Sequence, residues 1–403
     1  MRVLMLHNHY QLPGGEDECF AAEAALLEAH GHEVERFVLH NDEVPRLGLA
    51  RTAARTIWNA EAYRALRERI RRHRPDVVHA HNLFPLISPA ALRAAKAEGV
   101  AVVLTMHNLR LFCVRPTLFR DGRVCEDCVG RAFAWPGVLH GCYRGSRPMS
   151  AGVAAMSGIH RLLGTWRDCV DVFVALTGFV RSKMVQGGIA PDRIMLKPNF
   201  LLHDPGPGPA ERPQHAVFAG RLTQEKGVPA LIEAWRRLPG DATLELFGDG
   251  PLNDLVRQAA GQDTRIMPRG HQPLPVVQEA MRRAGLVVAP SEVPETFGRI
   301  AIEAFAVGTP VLTVALGGLG ELVEDGVTGA LVPPGDPVAL AAAAQRMLGD
   351  PASLRRMGEA ARATFEKHFT AEANHAALMR VYAAARGRAA LLETTSERAA
   401  IAK

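Results

Sequence analysis

The feature that most constrains the fold is an alternation of short β-branched runs with helical segments, which occurs twice along the 403 residues. Such alternation predicts right-handed crossovers and a mostly parallel sheet, and the length predicts two domains. The predicted strands of the first series are Val3–Leu6, Val34–Leu39, Asp76–Ala80, Val100–Met106, Asp171–Leu176 and Arg193–Lys197. Those of the second series are Ala216–Ala219, Thr243–Phe247, Arg265–Met267, Leu286–Ala289, Val311–Val314 and Ala330–Val332.

A segment rich in proline and glycine, residues 199–213, separates the two series and is typical of a linker. It divides the chain into a predicted N-terminal domain over 1–198 and a C-terminal domain over 214–368. A final helix over 369–386 is expected to return to the N-terminal domain, followed by a frayed tail over 387–403. Because open α/β sheets bind ligands at the carboxyl ends of their strands, we expect the active site in a cleft between the domains.

Composition excludes several classes of protein. Aromatic residues are only 6% and are not interleaved with basic ones, which disfavours nucleic acid as a partner. The apolar run at the N-terminus is too short for a signal peptide, and the longest uncharged stretch, 304–320, is broken by glycine and proline. We therefore expect a cytoplasmic protein with reduced cysteines.

Two glutamates stand eight residues apart, Glu295 and Glu303, directly after the predicted strand that ends before Pro290. On one continuous helix they would not face the same site. If a helix starts near Gly298, Glu295 lies in the preceding loop and Glu303 projects from the second turn. The amides of the helix N-terminus between them suit a phosphate, and Glu303 could accept both hydroxyls of a ribose. Taken alone, two solvent-exposed glutamates are the simpler interpretation.

Two cations, Arg221 and Lys226, bracket the turn after the first strand of the second series. Both could clamp a diphosphate, although such a turn taken alone is often only a solvated loop. A glycine turn, Gly248–Gly250, follows the next strand. Three strand ends thus carry loops that fit a nucleotide.

These residues together resemble the retaining glycosyltransferases of family four, which have the GT-B fold of two Rossmann-like α/β/α domains facing a central cleft. The resemblance covers nearly the whole chain, and its most specific part is the pair Arg221/Lys226 followed by Glu295-x7-Glu303. It implies that Glu303 holds the donor ribose and that Arg221 and Lys226 hold the diphosphate. Roles at the donor sugar and phosphates are further implied for Glu295, Phe297, Gly298, His107, Gly14 and Gly15.

The resemblance implies transfer of a sugar from a nucleotide-diphosphate donor (UDP or GDP) to a sugar or lipid-linked glycan acceptor, with retention of configuration. Fixed cations and helix amides can stabilise a departing diphosphate without a metal, and the sequence contains no Asp-x-Asp. We expect no catalytic cofactor, front-side attack, and a role in cell-surface polysaccharide or glycolipid assembly. The alternatives are a nucleotide-sugar epimerase on the same fold and a non-catalytic nucleotide-sugar-binding assembly protein.

Four of the six cysteines, Cys113, Cys125, Cys128 and Cys142, fall within one arginine- and glycine-rich insertion, residues 110–147. A Cys-x2-Cys pair flanked by two further cysteines is typical of a structural zinc site. Packed thiols, a disulfide or an iron–sulfur cluster are the alternatives.

Arginines cluster in this insertion and again over residues 64–74. Both clusters are typical of solvated surfaces, and both could instead dock on anionic lipid at the inner face of the cytoplasmic membrane.

Overall fold

The computed structural model describes residues 1–12 and 14–401, with side chains described up to residue 390. The chain divides into two units. Unit 1 comprises residues 1–120, 125–202 and the segment from Ala371 onward, and unit 2 comprises residues 121–124 and 203–370. Each unit contains a six-stranded sheet in which every pair of neighbouring strands is parallel.

The sheet of unit 1 has the strand order β2-β1-β3-β4-β7-β8. Its strands are β1 (Arg2–His9), β2 (Glu33–His40), β3 (Val77–Asn82), β4 (Ala101–Met106), β7 (Val172–Ala175) and β8 (Ile194–Leu196). A separate two-stranded sheet, which the sequence did not predict, pairs β5 (Phe119–Arg120) with β6 (Arg123–Val124).

The sheet of unit 2 has the order β11-β10-β9-β12-β13-β14. Its strands are β9 (His215–Ala219), β10 (Thr243–Phe247), β11 (Ile266–Gly270), β12 (Leu286–Ala289), β13 (Val311–Val314) and β14 (Gly329–Val332). The twelve strands predicted from β-branched runs are therefore confirmed. Both orders reverse direction beside the first strand of the unit, and such a switch point is where open α/β sheets bind ligands.

Helices connect the strands as crossover units. Those of unit 1 are α1 (Gly15–Ala29), α2 (Val44–Leu47), α3 (Leu49–Ile57), α4 (Ala60–His73), α5 (Ala90–Ala97), α6 (Trp135–Leu139), α7 (Arg147–Leu162), α8 (Thr165–Asp168), α9 (Gly178–Gln186) and α17 (Ala371–Ile401). Those of unit 2 are α10 (Val228–Arg237), α11 (Asn253–Gln262), α12 (Leu274–Arg283), α13 (Arg299–Ala306), α14 (Gly317–Leu322), α15 (Pro337–Leu348) and α16 (Pro351–His368). No helix within the described residues has both the length and the apolar character needed to cross a bilayer.

Burial explains why the strands read as continuous apolar runs. Every residue of β3, β4, β7, β12 and β13 is buried, because helices cover both faces of each sheet. In unit 2 one buried cluster centres on Trp235 of α10, which packs with Leu244 and Leu312 of the sheet. Turns and polar residues are thereby left to the strand ends.

The final helix, α17, packs on the sheet of unit 1. Its residues Leu378, Val381, Tyr382 and Ala385 are buried in one cluster with strand residues such as Val103. The helix continues to Ile401. The segment over 387–401, expected to be a frayed tail, is therefore helical and belongs to α17. Residues 402 and 403 and the side chains from 391 lie outside the described residues.

Removing side-chain volume from this contact should destabilise the protein. We expect Leu378→Ala to lower the free energy of unfolding by about 2–5 kcal/mol, since it leaves a cavity between α17 and the sheet. Exposed Arg380 on the same helix gives a matched control, for which Arg380→Ala should cost less than about 0.5 kcal/mol. Urea denaturation followed by circular dichroism measures both. A loss below about 1 kcal/mol for Leu378→Ala would show that the helix is not part of the core.

Candidate functional site

The turn after β9 carries both predicted cations of unit 2. The Lys226 ammonium lies 2.8 Å from Glu295 Oε1, in the loop after β12. Gly227 ends the turn with φ +71°, and a Cβ there would lie 1.9 Å from the carbonyl oxygen of Pro290, so only glycine fits. Arg221 is exposed, and its charge acts on the Glu295 carboxylate. The structure therefore pairs Lys226 with Glu295, and Arg221 begins the same turn.

Opposing effects set the pKa of Glu295. Burial would raise it, but the Lys226 ammonium, a hydrogen bond from Ser291 and the charge of Arg221 hold the pKa below its ordinary value. Glu295 is therefore ionised at neutral pH, and it orients a cation whose ammonium keeps two further donors. A backbone hydrogen bond of 2.9 Å from Glu292 to Glu225 fixes the two loops to each other.

Helix α13 begins at Arg299, directly after Gly298, whose φ of +96° makes a sharp turn. Glu295 therefore lies before the helix, and Glu303 lies in its second turn, where it pairs with Arg299 at 3.4 Å. The Phe297 side chain is buried and packs edge-on against Phe369, so only its backbone can face a ligand.

A fourth loop at this edge, Gly317–Gly320 after β13, was missed by sequence reasoning. Gly317 has φ +63°, and a Cβ there would lie 2.7 Å from Pro294 Cα. The Gly318 amide donates to the carbonyl oxygen of Glu295 at 2.6 Å. The glycines thus allow this loop to support the backbone of Glu295. Three glycines in four residues directly after a predicted strand were the available signal.

In unit 1, the predicted Gly14-Gly15 turn precedes α1. The Gly14 amide donates to Asp17 Oδ2 at 2.8 Å, and Glu16, Asp17 and Glu18 all lie in the first turn of the helix. Asp17 Oδ1 also lies 2.9 Å from both His7 Nε2 and His9 Nδ1. This turn is therefore engaged with its own carboxylates, and the predicted approach of Gly14-Gly15 to phosphate stays a prediction.

His107 follows β4 and lines an open cavity. The cavity is also lined by His81, Asn108, Arg110, Met156 and Trp166. His107 Nε2 lies 2.9 Å from His81 Nδ1. Burial lowers the pKa of His107 well below its ordinary value, and the pKa of His81 to about 4, so both rings are neutral at physiological pH. A neutral imidazole can donate a hydrogen bond to a sugar hydroxyl from one ring nitrogen or accept one from it at the other.

A buried ion pair lies behind His81. Glu23 Oε2 accepts from Lys197 Nζ at 2.7 Å, and both side chains are almost completely buried. Glu23 Oε1 lies 3.0 Å from His79 Nδ1 and 3.4 Å from His81 Nε2. Burial acts to raise the pKa of Glu23, but Lys197 and His79 hold it well below the ordinary value. A fixed negative charge thus stands behind the His81–His107 pair.

The same cluster holds α17 in place. Tyr382 Oη lies 2.9 Å from His79 Nδ1, and Asn374 Oδ1 accepts from Lys197 at 3.3 Å. Sequence reasoning missed these residues. The available signal was His79-Ala-His81 at a strand end, since alternate strand residues face the same side of a sheet.

The four clustered cysteines lie in the loops between β4 and α7. None of the six cysteines, all of which are in the described part of the chain, forms a disulfide. Cys113, Cys125, Cys128 and Cys142 influence one another electrostatically, and backbone amides of Leu118 and Arg115 donate to the Cys113 sulfur. Burial raises the pKa of Cys128 to about 11.

Two groups of three side chains in the described residues bring potential metal-ligand atoms within 4.8 Å of one another: His7–His9–Asp17 and Glu23–His79–His81. The cysteine sulfurs are not among them. In the first group, Asp17 is hydrogen-bonded by the two histidines and by the Gly14 amide. In the second group, the Lys197 cation balances the charge of Glu23. Neither group requires a metal to explain its arrangement.

Comparison with known proteins gives a consistent result. The Glycosyltransferase Family 4 model matches residues 14–201, and the Glycosyl transferases group 1 model matches residues 203–364. A glycogen synthase of Mycobacterium tuberculosis is 33% identical over 321 residues, 78% of this chain and 70% of the relative. A D-inositol 3-phosphate glycosyltransferase of Catenulispora acidiphila is 31% identical over 308 residues, 69% of this chain and 65% of the relative.

Solved structures show the same architecture. Anabaena Alr3699/HepE, determined in complex with UDP-glucose, matches with a TM-score of 0.66 at 19% identity, over 95% of this chain and 100% of that chain. The lipopolysaccharide outer core galactosyltransferase WaaB matches with a TM-score of 0.64 at 16% identity, over 94% of this chain and 99% of that chain.

Two parallel α/β sheets of this order, with cationic and glycine turns at a strand edge, define the GT-B class of sugar-transferring enzymes. The chain belongs to glycosyltransferase family 4. It is a retaining, metal-independent glycosyltransferase that uses a nucleotide-sugar donor.

The buried ion pair behind His81 yields a test. We expect Lys197→Met to lower the free energy of unfolding by about 3–5 kcal/mol at pH 7, because it leaves Glu23 charged and unpaired. In the wild type the lowered pKa of Glu23 gives stability that is fully present above pH ~4.3 and lost as the pH falls through the folded-state value. In the variant, burial raises the pKa of Glu23, so protonation should make the deficit smaller at pH 5 than at pH 8.

Urea denaturation at both pH values measures this deficit. Lys183→Met is the control, because Lys183 pairs at 2.7 Å with Glu126, a partly exposed partner, and should cost less than about 1 kcal/mol. If the loss of unfolding free energy in Lys197→Met were the same at pH 5 and pH 8, Glu23 would not be the ionised partner of Lys197 assigned above.

Proposed function

We propose that this enzyme transfers a sugar from a UDP-sugar to a hydroxyl of a sugar or lipid-linked glycan. The observation that carries the proposal is the cationic turn of unit 2, in which Lys226 is held 2.8 Å from Glu295 within the electrostatic reach of Arg221. The presence of UDP-glucose in the related fold of HepE supports uridine as the base.

In this proposal the donor diphosphate lies against Lys226, Arg221 and the amides at Phe297–Gly298. Glu303 holds the ribose hydroxyls, and Glu295 fixes Lys226 and contacts the donor sugar. As the bond between the anomeric carbon and the phosphate oxygen breaks, negative charge develops on the diphosphate, and the cations and helix amides stabilise it. No divalent ion is needed for this step.

The acceptor oxygen attacks the anomeric carbon from the side that the diphosphate leaves. Its proton passes to the departing phosphate oxygen. Because attack and departure take place on the same face, the new glycosidic bond keeps the original configuration. In this proposal unit 1 binds the acceptor, His107 hydrogen-bonds a sugar hydroxyl as a neutral imidazole, and Gly14-Gly15 approaches the phosphates. A front-side route of this kind requires no carboxylate on the opposite face of the sugar.

The acceptor class is proposed to be a growing cell-surface polysaccharide or glycolipid, made in the cytoplasm. The named activity of WaaB, transfer of galactose to the lipopolysaccharide outer core, supports this class.

Removing either cation should impair catalysis. Lys226→Ala or Arg221→Ala is expected to lower turnover at least about tenfold, because one charge-assisted contact contributes roughly 1.5–3 kcal/mol. Lys367→Ala, which removes an exposed lysine of the same unit, should keep full activity. Release of UDP in a coupled assay measures all three. A Lys226→Ala enzyme as active as wild type would remove Lys226 from the mechanism.

The base is tested by the thermal stability of the protein with UDP, GDP or ADP. A ligand at one hundred times its Kd stabilises the folded state by about 2.7 kcal/mol. We expect this effect from UDP and little from GDP or ADP at the same concentration. A larger thermal stabilisation by GDP than by UDP would contradict uridine and indicate guanosine as the base of the donor.

We also propose that Cys113, Cys125, Cys128 and Cys142 bind one structural zinc ion. Support comes from their spacing in the sequence and from their position in one group of loops between β4 and α7. Zinc binding would draw the sulfurs closer than they lie here and would release the thiol protons. Metal analysis of protein purified without chelator should find about one zinc per chain. Less than about half an equivalent of zinc per chain would indicate that the four cysteines are packed thiols without a metal.

A further inference from the structure

We propose that one face of unit 1, built from the loop after Cys128 and the C-terminal end of α7, docks on an anionic lipid bilayer. The first observation is electrostatic. From Val129 to Arg167 the chain contains five arginines and no aspartate or glutamate. Arg167 is paired with Asp168 at 2.8 Å, so the surplus charge of the segment lies on its other four arginines.

The acids that precede this segment do not compensate its charge. Glu126 is paired with Lys183 at 2.7 Å, and Asp127 is paired with Arg120 at 3.0 Å. Of these four arginines, Arg131, Arg144 and Arg147 are exposed. The segment therefore presents a surplus of positive charge, which anionic headgroups attract.

The second observation is an exposed apolar surface on the same segment. Trp135 and Leu139 of α6 are 50% and 52% exposed, and Leu162 at the end of α7 is 88% exposed. Phe133, Ile159 and Leu163 are also exposed. We call these six residues, with Arg131, Arg144 and Arg147, the docking face.

Contacts make the docking face continuous. The Phe133 ring lies against Gly158 of α7, where an added Cβ would come within 3.0 Å of Phe133 Cδ2. The Arg131 guanidinium lies 5.2 Å from the centre of the Trp135 ring, and Arg147 Nε donates to the carbonyl oxygen of Leu139 at 2.9 Å. Aromatic and aliphatic side chains flanked by arginines are the composition of interfacial membrane anchors.

The other arginine cluster, on α4, has a different environment. Arg67 and Arg71 both pair with Glu98, and Arg69 pairs with Glu35 at 2.9 Å. We therefore assign α4 to the solvated surface and the membrane contact to the docking face.

Helix α7 links the docking face to the candidate acceptor cavity. Met156 of α7 lines the cavity beside His107, while Ile159 and Leu162 lie on the exposed end of the same helix. A bilayer bound at this face would hold lipid-linked molecules near the unit that we propose binds the acceptor. The docking itself does not depend on the proposed activity.

Sedimentation with extruded vesicles tests the proposal. Wild-type protein should bind vesicles of phosphatidylglycerol and phosphatidylcholine and should not bind vesicles of phosphatidylcholine alone. Replacing Arg131, Arg144 and Arg147 by Gln should lower the partition coefficient at least about tenfold. Trp135→Ser with Leu162→Ser should lower it to a similar extent, because the apolar insertion is lost.

The matched control replaces Arg64, Arg72 and Arg356 by Gln, the same change in net charge at three exposed sites outside the docking face. It should retain binding, and every variant should keep the thermal stabilisation by UDP that reports a folded donor unit. The proposal would be overturned if the control lost as much vesicle binding as the docking-face variant, or if wild-type protein bound phosphatidylcholine vesicles as well as anionic ones. It would also be overturned if light scattering showed a dimer that the Trp135/Leu162 variant abolishes, because the apolar surface would then be a protein interface. Failure of UDP to stabilise the wild type would count against the donor assignment and not against docking.

Discussion

The contact between Lys226 and Glu295 is the interaction on which the proposed donor site depends. It joins the turn after β9 to the loop after β12, two adjacent strands of one sheet. A lysine beside a diphosphate needs a fixed position, since a flexible cation would lose conformational entropy at each binding event. The carboxylate supplies that position and itself stays ionised because of the cation.

Glycine is what allows these loops to meet. Gly227, Gly298 and Gly317 each adopt a positive φ, and a Cβ at any of them would lie within 3 Å of a neighbouring atom. The backbone around Glu295 is thereby packed from both sides. Unit 1 differs, because side chains and not glycine loops fill the space at its strand ends. These side chains are a buried cluster of imidazoles around the Glu23–Lys197 ion pair. Burial keeps His81 and His107 neutral, and the cluster holds the final helix on the sheet through Asn374 and Tyr382.

The sequence predicted the fold because its signals are local. The β-branched runs located all twelve sheet strands, and the glycine before Arg299 located the start of α13. The pairing of Glu295 with Lys226 was not predicted, since it joins side chains 69 positions apart. The Glu23–Lys197 pair was missed for the same reason, and a lysine at the end of a predicted strand gave no sign of burial. The exposure of Trp135 and Leu162 also depends on tertiary packing.

The central claim is that Lys226 recognises the diphosphate without a divalent ion. Isothermal titration calorimetry of UDP and of uridine, with wild type and Lys226→Met in buffer containing EDTA, tests it directly. The account predicts that the variant loses at least about tenfold in affinity for UDP and nothing for uridine. Equal losses for both ligands, or UDP binding by the wild type only when magnesium is added, would contradict it.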